Sequence, residues 1–204
     1  MTKEYSHYDD EYYVLLAENN PNYPMTDIDE ERYSDWRDTG VFANPFELYN
    51  DGYVYPITPC APIPSNPEFV DYHDSPTIFS LRVIEQVTQM GIEGTQWFPA
   101  YIHYKGERYD DYIIMHTYLE IECMDKEKSS YKQWDEDTFE VKNLVLDETV
   151  LDGIPLEERL TFLLEESTSM HLFHQSIVDE IMKHNPKGCK FIKSKDWGVG
   201  SAFD

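Results

Sequence analysis

The chain is 204 residues long, 41% hydrophobic and 15% aromatic, which supplies material for a core and argues against wholesale disorder. Its 40 acidic residues against 16 basic ones give a formal net charge of −24, which disfavours contact with a bare phosphate backbone and favours a basic protein partner. No run approaches about 18 apolar residues, and Cys60, Cys123 and Cys189 are odd in number and widely spaced, so the expectation is a cytoplasmic protein with reduced thiols and neither export leader nor membrane span.

One α+β domain is expected, mainly antiparallel sheet with two short helices. Residues 1–74 hold ten of the 16 tyrosines and eight of the 12 prolines. They read as an irregular acidic layer of the same domain, wrapped over an α+β core at 75–204. Within that layer Tyr12–Leu16 is a strand, and Phe46–Tyr55 is a hairpin turning at Asp51-Gly52. Pro56, Pro59, Pro62, Pro64 and Pro67 then enforce an extended connector that can cross a surface but is hard to place mid-sheet.

Ile78–Phe98 reads as strand, helix, glycine turn and strand. Ser80 is the candidate N-cap, and Val83, Ile84, Val87 and Met90 share one helix face that must be buried. Gly91 and Gly94 end the helix, and Trp97–Ile102 reads as a strand covered on both sides. Tyr101–Tyr104 turns at Lys105-Gly106 and returns through Tyr112–Cys123, whose later half alternates as a half-exposed strand should. Met124–Asp137 reads as a polar loop, Phe139–Leu146 as a strand, and Leu160–Glu165 with Met170–Phe173 as a hairpin around Ser167-Thr168-Ser169. A second helix runs from Gln175 to His184, stopped by Asn185-Pro186. Lys187–Ile192 is the last strand, and Trp197 is the anchor of the tail.

Leu172–Ile192 repeats the pattern of Ile78–Phe98 without a gap. Phe79 meets Phe173, Val83 and Ile84 meet Ile177 and Val178, Val87 meets Ile181, and Gly94 meets Gly188. Either the unit is duplicated, or two short helices packing on sheets have come to look alike.

Catalytic and metal motifs are tested and found wanting. Asp27-x-Asp29-x-Glu31 opens like a calcium loop, but Arg32 stands where the turn demands glycine. His171 and His174 are three apart but fall where a strand enters a helix cap, with no Cys-x-x-Cys beside them, so a structural role is expected for His174. Gly198-Val199-Gly200-Ser201 lies outside any strand–turn–helix context. No catalytic residue, cofactor or metal is expected. What stands out is acids interleaved with aromatics, a composition suited to protein interfaces. The candidate partner-binding residues are Asp27, Asp29, Glu30, Glu31, Asp110, Asp111, Trp134, Asp135, Glu136 and Asp137.

The order of segments resembles a bacterial family, immunity protein family 11 of polymorphic toxin systems. The likeness rests on the proline connector, Ile78-Phe79-Ser80 leading into Val83–Val87, and Gly94-Thr95-Gln96-Trp97-Phe98-Pro99 with Tyr112 opening the next strand. It continues through Asp125-Lys126-Glu127-Lys128-Ser129-Ser130, Val141–Leu146, Leu160-Thr161-Phe162 and Gly188-Cys189-Lys190-Phe191. His174 departs from the serine expected at the start of the closing helix. The resemblance implies an α+β protein that binds and neutralises a toxin encoded by a neighbouring gene, in the cytoplasm and without catalysis. A basic nuclease is the toxin that a charge of −24 would steer toward. No direct nucleic-acid or membrane contact and a monomer or weak homodimer are expected. The alternatives are an acidic DNA-mimic inhibitor or adaptor, against which the acids are spread along the whole chain, and an enzyme, which would need a pocket of converging perturbed side chains.

Overall fold

The computed structural model describes residues 5–29, 54–74, 76–134 and 139–201. Strands β1 (Tyr12–Ala17), β2 (Thr26–Ile28), β3 (Tyr55–Pro59), β4 (Tyr72–His73) and β5 (Ile78–Ser80) lead into helix α1 (Leu81–Thr88). Next come β6 (Thr95–Tyr104), β7 (Glu107–Thr117), β8 (Glu120–Ile121), and a ribbon of β9 (Ser130–Gln133) and β10 (Phe139–Asn143). Helix α2 (Glu148–Asp152), hairpin β11 (Thr161–Leu164) and β12 (Ser167–His174), helix α3 (Gln175–Met182) and β13 (Cys189–Lys193) follow. The fold is α+β. One sheet runs β13-β1-β12-β11-β8, a second β2-β3-β6-β7-β5-β4, and β9-β10 stand as a separate pair.

The two strand–helix–strand units correspond far beyond their sequence pattern. In the first, β5 and β6 flank β7, antiparallel to both, with Ile113 between Phe79 and Pro99. In the second, β12 and β13 flank β1, antiparallel to both, with Tyr13 between Phe173 and Lys193. The correspondence that takes Phe79 to Phe173 also takes Pro99 to Lys193, so the registers agree. Outside them β4 pairs Tyr72 with Phe79 as β11 pairs Thr161 with Phe173. Hydrogen bonds repeat as well: the Tyr112 hydroxyl donates to the Val70 carbonyl at 3.0 Å, and the Tyr12 hydroxyl to the Arg159 carbonyl at 2.9 Å. The units differ in where the middle strand comes from. In the first it follows the unit directly; in the second it is β1, from the other end of the sequence.

Alternation along each middle strand explains the core. Leu15, Ile113 and Met115 turn to a central cluster with Val83, Ile84 and Val87 of α1 and Ile177, Val178 and Ile181 of α3. Val14 turns the other way, into a cluster with Tyr8, Leu144, Leu146 and Phe162, and Ile114 into one with Tyr55, Ile57 and Phe98. Across the unit boundary, Asp71 accepts from Arg82, from the Ser80 hydroxyl and from the Lys187 N–H, while Arg82 also donates to the His184 carbonyl beyond α3. Burial acts to raise the Asp71 carboxyl, but these donors outweigh it and hold it below the usual range.

Several expectations change. The N-terminal layer is instead threaded into both sheets, with β1 between two partners because its apolar residues alternate to both faces. Pro56 and Pro59 lie in β3, an interior strand. They are tolerated because Pro56 ends the β2 ladder, where its carbonyl accepts from Asp29 N–H at 2.9 Å, and Pro59 lies past the last pair with β6. Ser80 sits at the cap position of α1, but its hydroxyl donates to Asp71 at 2.6 Å rather than capping. His174 does cap, its Nδ1 accepting from Ser176 N–H. Met90 follows α1 and is exposed, since the helix ends at Thr88. β6 alternates, with Phe98, Ala100 and Ile102 buried and Pro99 exposed, so only one face is fully covered. The run Tyr112–Cys123 is split between two sheets: β7 ends at Thr117 after five buried residues, and β8 pairs with β11, where buried Ile121 and Cys123 alternate with exposed Glu122. The stretch read as a polar loop contains β9, and the turn of the last hairpin is Glu165-Glu166, because Ser167–Ser169 already belong to β12. The hairpin expected from Phe46 lies outside the described residues up to Tyr53.

Candidate functional site

Of the candidate partner-binding residues, Glu30, Glu31, Asp135, Glu136 and Asp137 lie outside the described residues. Asp27 is exposed on β2. Asp29 is buried, its Oδ2 2.6 Å from His103 Nε2 on β6. His103 stands opposite Arg108 across the ladder, and Arg108 donates to Asp110 at 2.6 Å while its guanidinium lies 3.8 Å from the centre of the Tyr101 ring. The β2 and β7 acids are therefore linked through one end of the six-stranded sheet, with Asp29 and Asp110 already engaged by cations or imidazole of the same chain. Asp111 is exposed at a register shift, with φ of 66°.

Trp134 lies elsewhere, on the β9–β10 ribbon. It is 61% exposed, the Lys132 Nζ stands 3.1 Å from its ring centre, and its Nε1 donates to Glu140 at 3.2 Å. The ribbon holds its place because Tyr131, Phe139 and Val141 pack against the cluster around Phe162. Trp134, Phe139, Met170 and Trp197 line a groove of about 330 Å³ beside the tip of the β11–β12 hairpin, with Ser167 and Ser169.

The residue before Ser167 turns into a different cavity. Glu166 lines a pocket of about 520 Å³ with Glu122, Asp125, Glu127, Asp147 and Glu148, against which stand only Lys126 and Lys128. Glu166 is 5% exposed; its Oε1 accepts from Met124 N–H at 3.0 Å, and its Oε2 is sealed from water without a hydrogen-bond partner. Burial pushes its carboxyl above the usual range. The other acids are held by backbone. Asp147 Oδ1 takes Thr149 N–H at 2.8 Å and Val150 N–H as the N-cap of α2. Asp125 Oδ1 takes the N–H groups of Glu127 and Lys128, both at 3.0 Å. Burial would raise Asp125, but Lys128 and these donors bring it below the usual range. Glu148 Oε1 accepts from His7 N–H at 2.9 Å. Both lysines are already paired, Lys126 with Glu122 and Lys128 with Asp125, each at 2.8 Å. Lys126 also lies 5.2 Å from the Phe139 ring, so the acidic pocket and the aromatic groove adjoin.

Several groups elsewhere are shifted as well: Tyr72, raised by burial, and His73, lowered by burial, line a further cavity of about 290 Å³ with Asp74, and others lie in the core. His171 is pushed to about 3 by burial, within the β11–β12 ladder. Tyr12 is pushed up to about 12 by burial despite Arg159, and Cys189 to about 12 by burial. Among the described residues, no group of three histidine, cysteine or carboxylate side chains converges to hold a metal ion, and no helix is long and apolar enough to cross a membrane.

Sequence reasoning singled out Trp134, which lines the groove, but not Glu166 and its neighbours. Asp147-Glu148-Thr149 ahead of Val150-Leu151 carries a legible N-cap signal. Glu166 carries none, since the serines beside it drew the turn two residues downstream. No protein-family model matches the chain and no curated protein matches it, so the site rests on its geometry.

Proposed function

We propose that the chain is an immunity protein: it binds a cognate toxin encoded by a neighbouring gene in the bacterial cytoplasm and neutralises it by occupation, without turnover. The observation that carries this reading is the juxtaposition of a carboxylate-lined pocket and an aromatic groove with an exposed tryptophan, on a chain of net charge −24. Tryptophan and tyrosine supply anchors for tight interfaces, and charge of one sign steers an oppositely charged partner, raising association to about 10⁸–10⁹ M⁻¹s⁻¹ at low salt. A nuclease is basic in order to hold phosphates, which makes it the toxin class that this charge fits.

The test is growth of a naive host expressing the adjacent gene product, with and without this chain, together with co-purification of the two. Rescue with a stable complex supports the reading. A harmless neighbour, or a toxic one that is neither rescued nor bound, refutes it. Charge reversal at Asp135, Glu136 and Asp137, which follow Trp134 in sequence, should slow association and flatten its salt dependence.

A further inference from the structure

We propose that the aromatic groove takes one apolar side chain, aromatic or branched aliphatic, from a basic segment of a partner protein whose cations meet the carboxylates of the adjoining pocket. That this partner is the toxin rests on the function proposed above; the chemistry of the groove does not.

The walls of the groove are held in place before any partner arrives. Trp134 is 61% exposed, yet two charges fix its ring: Lys132 Nζ stands 3.1 Å from the ring centre, and Nε1 donates to Glu140 at 3.2 Å. The backbone of Trp197 is tied on both sides, its N–H donating to the Lys193 carbonyl at 3.0 Å and its carbonyl accepting from Asn143 Nδ2 at 3.3 Å. Phe139 stands edge-on to the Tyr131 ring at 5.4 Å, and Val141 and Met170 are buried. Side chains already ordered lose little freedom on binding, so the apolar area they offer is converted more fully into affinity.

Polar atoms in these walls have partners within the chain. Trp134 Nε1 is on Glu140, and the Ser167 and Ser169 hydroxyls lie 3.4 Å from one another. What the groove still offers is apolar contact. At about 330 Å³ it sits at the lower end of the range for ligand cavities, about 300–1,000 Å³, which suits an inserted side chain better than an extended organic ligand.

Charge decides what carries that side chain. The adjoining pocket sets six carboxylates against two lysines, both already paired. That field repels the phosphates of a nucleic acid or a lipid surface, and a second copy of the chain would bring another −24. A basic protein segment is drawn in by it. Tryptophan is among the residues that most often dominate an interface, and the surrounding rim keeps water away from it.

The experiment has two arms. In the first, the whole chain is titrated with acetyl-Lys-Phe-Lys-amide, acetyl-Glu-Phe-Glu-amide and acetyl-Lys-Gly-Lys-amide, following the indole N–H resonances of Trp134 and Trp197. The first peptide should move both resonances saturably, in the millimolar range. The other two should bind at least about tenfold more weakly, one for want of cations and one for want of the ring. In the second arm the adjacent gene product is the probe. Trp134→Ala should weaken its complex about thirtyfold, through faster dissociation. Met182→Ala, exposed at the end of α3 and lining neither cavity, should bind as the parent does. Equal response to the three peptides, or no response, overturns the proposal, and neither result depends on a variant folding. A toxin complex unchanged by Trp134→Ala overturns the groove as its docking site and leaves the immunity reading intact. Selective binding of the basic aromatic peptide, in a chain that does not rescue the host, upholds the groove and refutes the immunity reading.

Discussion

Acidification should weaken the fold through His171. Its Nε2 lies 2.9 Å from the Thr161 hydroxyl, which gives its own proton to the Leu172 carbonyl, so Nε2 carries a proton and is the donor. A second proton would place a charge beside the Phe173 ring, 4.3 Å away, in a site where burial pushes the pKa from 6.5 to about 3. In the unfolded chain the ring takes up that proton near pH 6.5. Between about 6.5 and about 3 the unfolded state therefore binds more protons than the native one, and stability falls as pH falls. From about pH 7.5 to about pH 5 the loss is about 2 kcal/mol, at 1.36 kcal/mol per unit. Urea unfolding of the parent and of His171→Gln, whose amide can still donate to Thr161, measures it at both pH values. Subtracting one pH dependence from the other removes His73 and His174, also lowered by burial, and Glu166, whose raised carboxyl acts in the opposite sense. If parent and variant lose equal stability, His171 is not held neutral by the fold.

The repeated hydrogen bonds give a paired test. Tyr112→Phe should cost about 1 kcal/mol, and Tyr12→Phe roughly 1.5–3 kcal/mol, because the Tyr12 hydroxyl also accepts from Arg159 at 2.6 Å; equal costs by urea unfolding would mean the guanidinium bond contributes nothing. Gly188 has φ of 93°, and a Cβ there would stand 2.6 Å from the Tyr72 carbonyl oxygen. Gly188→Ala should therefore cost more than about 2 kcal/mol, combining left-handed backbone with a clash against main chain, and an unchanged thermal midpoint would contradict the placement of that turn. Ile181→Ala, fully buried between the helices and both sheets, should cost about 2–5 kcal/mol. A loss under about 1 kcal/mol would mean that α3 is not seated as described.

The helices were the most legible part of the sequence, because apolar residues at Val83, Ile84 and Val87 and again at Ile177, Val178 and Ile181 recur at helical spacing. The likeness of the two units was legible too, although not its extent, since the strands completing them, β7 and β1, carry no mark of which neighbours they will take. The proline-rich connector misled because proline bars a residue from a ladder only where its missing N–H is needed, which depends on register. Ser80 and His174 show the same limit at caps. The hydroxyl suited to capping found Asp71, a stronger acceptor, while the imidazole without such a competitor took the cap. At the candidate site, Trp134 announced itself by standing among acids, but Asp29 in a similar setting is consumed by His103. Glu166 was hidden because its burial follows from the turn it occupies, and the serines after it pointed to a turn further along.

The borrowed strand of the second unit has a consequence for synthesis. Every partner of β7 is made within a short stretch around it, so the six-stranded sheet can begin to close as it leaves the ribosome. β1 is translated well before β12 and β13, the strands on either side of it. At about 5–20 residues per second, β1 waits on the order of ten seconds with both edges open. During that interval it is an apolar strand without a sheet, exposed to chaperones and to the β12 and β13 of another copy. An exchange of β1 between two chains would reproduce every native contact, so slow dilution during refolding should favour monomers and high concentration should trap interlocked dimers.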